Sequence, residues 1–325
     1  MYAAVTDETG KTQVIEKEVP KLEPHGVRVR MVAAGICGTD RHIVQREFPA
    51  ALPRVLGHEM VGIVEAEAEP SNLSGKRVVV DPNMPCFSCS ECRAGRVHLC
   101  RHRKAIGIDW DGGFQEYVLV PQSQIYELAA NVAAEIGVLA EPLSCCLHGL
   151  DRLAIQADSR VAVVGLGPIG TMLALILKSW GVQETICLEK SAVRRDAAKA
   201  LGLDAREWED APNTFDIVVD AVGSGSIMEW AQDALRRGGQ LLVFGVAKPQ
   251  EIARIRPYTL YEKELSMVSA FTNPFTMQRA VNMINSGMLP LDALLTDRIA
   301  IHEVPEALSG VPQGFKTFIG YEGGE

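Results

Sequence analysis

The chain has 325 residues, 47% of them apolar and 22% charged, a composition that suits a globular protein of two domains, each able to bury a core. Its 32 basic and 41 acidic residues leave a formal charge of −9, and the basic residues are scattered without a run of five, which argues against nucleic-acid binding. The opening MYAAVTDETGKTQVIEKEVP has no basic region followed by an apolar core, so no secretory leader is expected.

The first third reads as short strands between turns. VIEKEVP, GVRVRMVAAGI, MVGIVEAEAE and KRVVVDP are rich in β-branched residues and bounded by Pro or Gly, and GGFQEYVLVP continues the pattern beyond a cysteine-rich loop. From Asn131 the apolar spacing becomes helical, with an interruption expected at Pro142. The charge-free stretch VAVVGLGPIGTMLALIL (161–177) is broken by three glycines and a proline. It reads as a buried strand, a turn and a helix rather than a membrane span. From Arg160 strands (VAVVG, TICLE, FDIVVDAVG, QLLVFG, LSMVSAF) alternate with helices (IGTMLALILKSWG, SAVRRDAAKALG, SIMEWAQDALRRGG), the order of an α/β doubly wound parallel sheet. The last fifty or so residues carry one helix, FTMQRAVNMINSG, and strand-like pieces without that rhythm. They are expected to fold back onto the first domain, giving segments 1–150, 151–272 and 273–325.

Gly165, Gly167 and Gly170 form G-x-G-x-x-G directly after a strand and at the start of a helix, around Pro168 and Ile169. The first glycine permits the turn, the second lets the backbone approach a pyrophosphate, and the third lets helix pack on strand. Glu189 ends the next strand, nineteen residues after Gly170, where an acid accepts hydrogen bonds from the adenosine ribose. A carboxylate there repels a 2′-phosphate, so NAD is favoured over NADP; Lys190, Arg194 and Arg195 are the residues that speak for NADP.

Four of the eight cysteines, Cys86, Cys89, Cys92 and Cys100, lie in loop 86–100 with spacing C-x2-C-x2-C-x7-C. Four thiolates close a tetrahedral zinc shell and leave no open position, so the loop is read as a structural zinc site. Iron–sulfur spacings do not match, and disulfides would require an oxidising compartment. His98 and His102 flank Cys100 as spare donors, while Cys145, Cys146 and Cys187 read as packed thiols. A reactive metal would then use other ligands. GICGTDRH offers Cys37, Thr39, Asp40 and His42; VLGHEMVG offers His58 and Glu59; LAEPLS offers Glu141. Thiolate, imidazole and carboxylate with an open position make a catalytic zinc site, although each residue alone reads equally well as a core thiol, a turn residue or a helix-end acid.

CGTDRH, GHEMVG, the cysteine loop, GGFQEYVLVP, EPLS, GLGPIG and GFKTFIGY follow one another in the order of the zinc-dependent medium-chain dehydrogenases, which the chain resembles over nearly its whole length. EPLS in place of a third cysteine resembles the sorbitol and polyol dehydrogenase branch, with L-threonine dehydrogenases as neighbours. The resemblance implies a Rossmann dinucleotide-binding domain (151–272) plus a mostly-β GroES-like catalytic domain, to which 273–325 returns. It implies two zinc ions, the catalytic one on Cys37, His58 and either Glu59 or Glu141. Thr39 would take the alcohol proton and pass it through the cofactor ribose to His42. Ile169 and Arg194 would line the adenosine side, Lys316 would lie near the cofactor phosphates, and Gly245 belongs to the cofactor-binding set. Ile43, Ala270 and Phe271 stand where sorbitol dehydrogenases place polar residues, so the pocket wall differs, and Trp110 reads either as pocket wall or as a packed aromatic. The expected protein is a cytoplasmic homodimer or homotetramer that oxidises a small-molecule secondary alcohol of polyol or sugar type, with no nucleic-acid or membrane partner. Alternatives are L-threonine 3-dehydrogenase, hexose 1-dehydrogenase, or a non-catalytic nucleotide-binding protein that keeps the fold.

Overall fold

The computed structural model describes residues 1–69, 72–208, 211–310 and 314–321, and the chain divides into two compact units, Met1–Ser144 with Asn273–Glu325, and Cys145–Thr272. The first unit is organised around the strand Gly26–Gly35, whose sequence GVRVRMVAAG is buried along nearly its whole length. It pairs antiparallel with Glu59–Glu67 on one edge. Its other edge is shared end to end, with Tyr117–Pro121 against Gly26–Arg30 and Lys316–Gly320 against Ala33–Gly35. Irregular register between Met31 and Ala33 marks a bulge just before that second partner begins, where a strand bends and twists more strongly.

A smaller sheet joins Thr12–Glu16, Tyr2–Thr6 and Arg54–Val55, of which the last two were not expected from the sequence. Met31, Met60, Ile106, Phe114 and Ile319 belong to one buried apolar cluster in this unit. Burying a side chain as large as Phe114 contributes about 1.5–3 kcal/mol. Phe114 also dictates Gly57: that residue has φ 96°, and a Cβ there would collide with the Phe114 ring. The turn that presents His58 is thus fixed by core packing.

In the second unit six parallel strands run in the order Asp204–Arg206, Glu184–Leu188, Arg160–Val164, Phe215–Asp220, Leu235–Val243, Ser266–Ser269. The chain order 3-2-1-4-5-6 is that of a doubly wound dinucleotide fold, as the βαβ alternation anticipated. Stretch 161–177 resolves into the strand Arg160–Val164, a turn, and the helix Pro168–Ser179, whose residues Gly170–Leu177 are all buried. A helix buried on every side needs no polar face, which is why its sequence imitates a membrane segment. Among the described residues no helix is long and apolar enough to cross a membrane.

Three sequence expectations change. Pro142 does not interrupt a helix; it sits in the first turn of Ala140–Leu150, where a missing N–H costs nothing. The helix from Gly225 stops at Ala234, and LRRGG begins the following strand. Lys263 closes that helix end by donating to the carbonyls of Gln232, Asp233 and Leu235 at 2.8–3.1 Å, groups that a helix terminus leaves unsatisfied. Lys263 belongs to the short helix Pro257–Lys263, an element for which the sequence carries no expectation.

Candidate metal centres and dinucleotide cavity

Cys37 ends an extended segment and caps the helix Gly38–Val44, while His58 leaves the Gly57 turn and Glu59 begins the next strand. Donor atoms of Cys37, His58 and Glu59 lie within 4.8 Å of one another. Glu141, at the start of the helix Ala140–Leu150, is buried but does not join that group. Asp40, one of the donors that GICGTDRH offers, falls outside that group; it is wholly buried and joins two of its members. One carboxylate oxygen accepts the Cys37 N–H at 2.8 Å, and the other lies 3.3 Å from His58 Nδ1. A carboxylate behind a metal-binding histidine orients the ring and fixes its tautomer. Burial opposes a proton on His58, but the charges of Asp40 and Cys37 outweigh it and hold its pKa well above the ordinary range. A divalent cation on the same atoms competes with that proton.

Glu59 faces a cation of its own. Register places it opposite Gly35, where a Cβ would collide with its carboxylate, so the glycine makes the room. Lys316, on the neighbouring strand, drives its ammonium onto Glu59, and both side chains are almost inaccessible to water, at 6% and 1%. Burial works against the Lys316 charge, yet Glu59, Cys37 and Asp40 reverse the balance and raise its pKa. Lys316 was assigned to cofactor phosphates by resemblance; its contact within the first unit is the Glu59 carboxylate. Thr39 Oγ1 lies 3.7 Å from Cys37 Sγ, and His42 follows one helical turn later, half-buried. Ile43 is buried in the first unit's core. Trp110 is 47% exposed, so it is not a packed core aromatic. Its loop is laced to the His58 segment by Gly112 N–H to Val55 and Gly113 N–H to Gly57 carbonyls, at 2.8 and 2.7 Å.

The four loop cysteines converge in the same unit. Cys86, Cys89, Cys92 and Cys100 have sulfurs within 4.8 Å of one another, with separations of 3.4, 3.6 and 3.9 Å along the connected pairs. Zinc–sulfur bonds of about 2.3 Å in a tetrahedron place sulfurs roughly 3.8 Å apart, so the cluster has the dimensions of a closed site. Hydrogen bonds from Ser88 bring the Cys86 thiol down to about 5, whereas burial pushes Cys92 up to about 12. Metal uptake at this cluster would therefore have to displace the proton of Cys92.

In the second unit a cavity of about 940 Å³ opens where the strand order reverses. Its wall includes Gly165, Gly167, Glu189, Lys190, Arg194, Ala221, Trp208 and Trp230. Gly165 takes φ 92°, and a Cβ on Gly170 would collide with the Gly165 carbonyl, so neither position tolerates another residue. Gly167 caps the helix that begins with Pro168 and has open space where a Cβ would stand. Glu189 is pinned by backbone: one oxygen accepts Leu166 N–H at 2.7 Å and the other Ser191 N–H at 2.8 Å, with Arg194 4.0 Å away. Ile169 is half-buried in the helix's first turn, and Gly245 packs on the Gly223 turn, where a side chain would collide. Trp208 and Trp230, ring centroids 4.6 Å apart, were missed because neither falls inside a motif.

The sequence matches the profiles of the alcohol dehydrogenase GroES-like domain over residues 23–130 and of the zinc-binding dehydrogenase over residues 168–286. It is 34% identical to D-arabinitol dehydrogenase 1 of Uromyces fabae, over 91% of this chain and 89% of that one. It is 30% identical to D-altritol 5-dehydrogenase of Agrobacterium fabrum, over 94% of each. A structure from Sinorhizobium meliloti 1021, named for the zinc-binding dehydrogenases and bound to NADP, superposes with a TM-score of 0.95 at 33% identity, covering 98% of this chain and 99% of that one. The chain belongs to the zinc-binding alcohol dehydrogenase family. It is an NAD(P)-dependent dehydrogenase, and the non-catalytic alternative falls away.

Replacing Lys316 with Met leaves Glu59 buried without its counter-charge. In zinc-stripped protein the expected loss is about 3–5 kcal/mol of unfolding free energy, read from urea titration, with zinc restoring more stability to the variant than to the parent. Equal stability of the two stripped proteins would show that Lys316 does not neutralise Glu59.

Proposed function

We propose that this enzyme oxidises a secondary alcohol of the polyol or sugar class, using two zinc ions per chain and NAD as hydride acceptor. The convergence of Cys37, His58 and Glu59 carries this reading, because thiolate, imidazole and carboxylate hold zinc with a position left for substrate. The four-cysteine loop, having no such position, would hold the second ion for stability alone. When bound, zinc supplies the Lewis acidity that eases loss of the hydroxyl proton, and nicotinamide supplies the hydride acceptor. Thr39, beside Cys37, receives that proton, and His42, one turn along the same helix face and partly open to water, exchanges it with solvent. Both named relatives act on sugar alcohols, which supports the substrate class. Four cysteines gathered as a metal site rather than paired in disulfides suit the cytoplasm.

Glu189 supports NAD over NADP, since its pinned carboxylate would face a 2′-phosphate; Arg194 and Lys190 on the same wall, and NADP in the Sinorhizobium structure, favour the second reading. A homodimer is supported by the strand Ser266–Ser269. It is the sheet's last strand, carries neither charge nor proline, and follows a helix that exposes Tyr258 and Tyr261. Such an edge is a template for another strand, and twofold self-pairing satisfies it.

Metal analysis is expected to find two zinc ions per chain. Cys37→Ser should lose one of them and essentially all turnover of sugar alcohols while still binding NADH; retained turnover would refute the assignment. Glu189→Gln removes the charge but keeps an acceptor, and should move the NADPH-to-NADH affinity ratio about tenfold toward NADPH, measured by fluorescence titration. An unmoved ratio would leave the preference without its cause. Met267→Lys sets like charges against each other across the proposed pairing and should halve the sedimenting mass; an unchanged mass rules out that edge.

A further inference from the structure

The helix Gly38–Val44 ends in a turn where Arg46 adopts a left-handed φ of 62°. That reversal carries the next residue, Glu47, back over the helix. Its N–H donates to the His42 carbonyl at 2.8 Å, and its carboxylate lies 2.7 Å from His42 Nδ1. The turn is itself held: the Arg46 guanidinium donates to the Glu8 carbonyl at 2.7 Å, and Phe48 packs against the first unit's core. Glu47 thus grips His42 through main chain and side chain together. Ring and carboxylate are 38% and 31% exposed, so the pair lies at the boundary with water.

We infer that Glu47 is a positioning residue that holds His42 as the Nδ1–H tautomer, leaving the Nε2 lone pair as proton acceptor; this rests on the Thr39–His42 relay proposed above. A carboxylate can only accept, so a bond of this length places the proton on Nδ1. A neutral imidazole with no such partner divides between two tautomers, and one of them presents an N–H where an acceptor is required. Thr39 and His42 stand three residues apart, on one face of the helix. Glu47 approaches His42 from the far end of that helix, after the turn, and so fixes the ring without standing between the two relay residues in sequence. Neither the cysteine loop nor the dinucleotide cavity provides this function.

The experiment uses the full-length zinc- and NADH-loaded enzyme with ¹⁵N-labelled histidine, and the variants Glu47→Gln, Glu47→Asp and His42→Ala. The parent should show His42 protonated on Nδ1, and Glu47→Gln should redistribute the tautomers. In steady state, Glu47→Gln should lower kcat about tenfold with KM changed less than twofold, and Glu47→Asp should restore most of the loss. In a His42→Ala background, Glu47→Gln should cost nothing further. A parent His42 protonated on Nε2, an unaltered spectrum in Glu47→Gln, or equal losses with and without His42 would each overturn the inference. Full turnover by His42→Ala would instead remove the relay, and the imidazole spectrum would still decide whether Glu47 sets the tautomer.

Discussion

Buried charge governs the first unit. Cys37, Asp40 and Glu59 can each carry a negative charge away from water, and His58 and Lys316 supply the positive ones. Removing any such ion from water costs several kcal/mol, and only close, well-placed partners offset it. Strand Gly26–Gly35 meets both that condition and the steric one. It brings Glu59 and the Lys316 strand to its two edges, and it ends in a glycine small enough to admit their side chains. The site is therefore a property of the sheet as much as of the ligands, and a substitution at Gly35 would disturb it without touching a donor atom.

The second unit achieves its end by other means. Its cavity is shaped by backbone: a left-handed Gly165, a Gly170 that no side chain could replace, and a carboxylate anchored on two amide N–H groups. Little there depends on balancing charges out of water. The two halves thus divide the work, one arranging main chain for an anionic ligand and the other arranging ionised side chains for a cation.

Much of this was visible in the amino-acid order. The βαβ alternation, the glycine spacing and the four-cysteine loop emerge where local pattern encodes local structure, whereas Cys37, His58 and either Glu59 or Glu141 stand out only through the family resemblance. What stayed hidden has no local period. Asp204–Arg206 is three residues long and becomes a strand only by lying beside Ile186–Leu188. Asp40 stands in the sequence as one donor among several, since its ion-pair contact with His58 crosses between two segments. Ile43 lies on the face of its helix that the core covers, which a motif position alone does not reveal. Lys316 and Glu59 are 257 residues apart, beyond any window of sequence periodicity.

That separation orders the protein's birth. A ribosome releases Lys316 257 residues after Glu59, while everything needed for the second unit's parallel sheet, Cys145 to Thr272, emerges between them in one uninterrupted stretch. The central sheet of the first unit must therefore wait, one edge half covered, until the Lys316–Gly320 strand is translated. A chain that stopped before Lys316 would hold every strand of the second unit's sheet and yet lack the strand that completes the first.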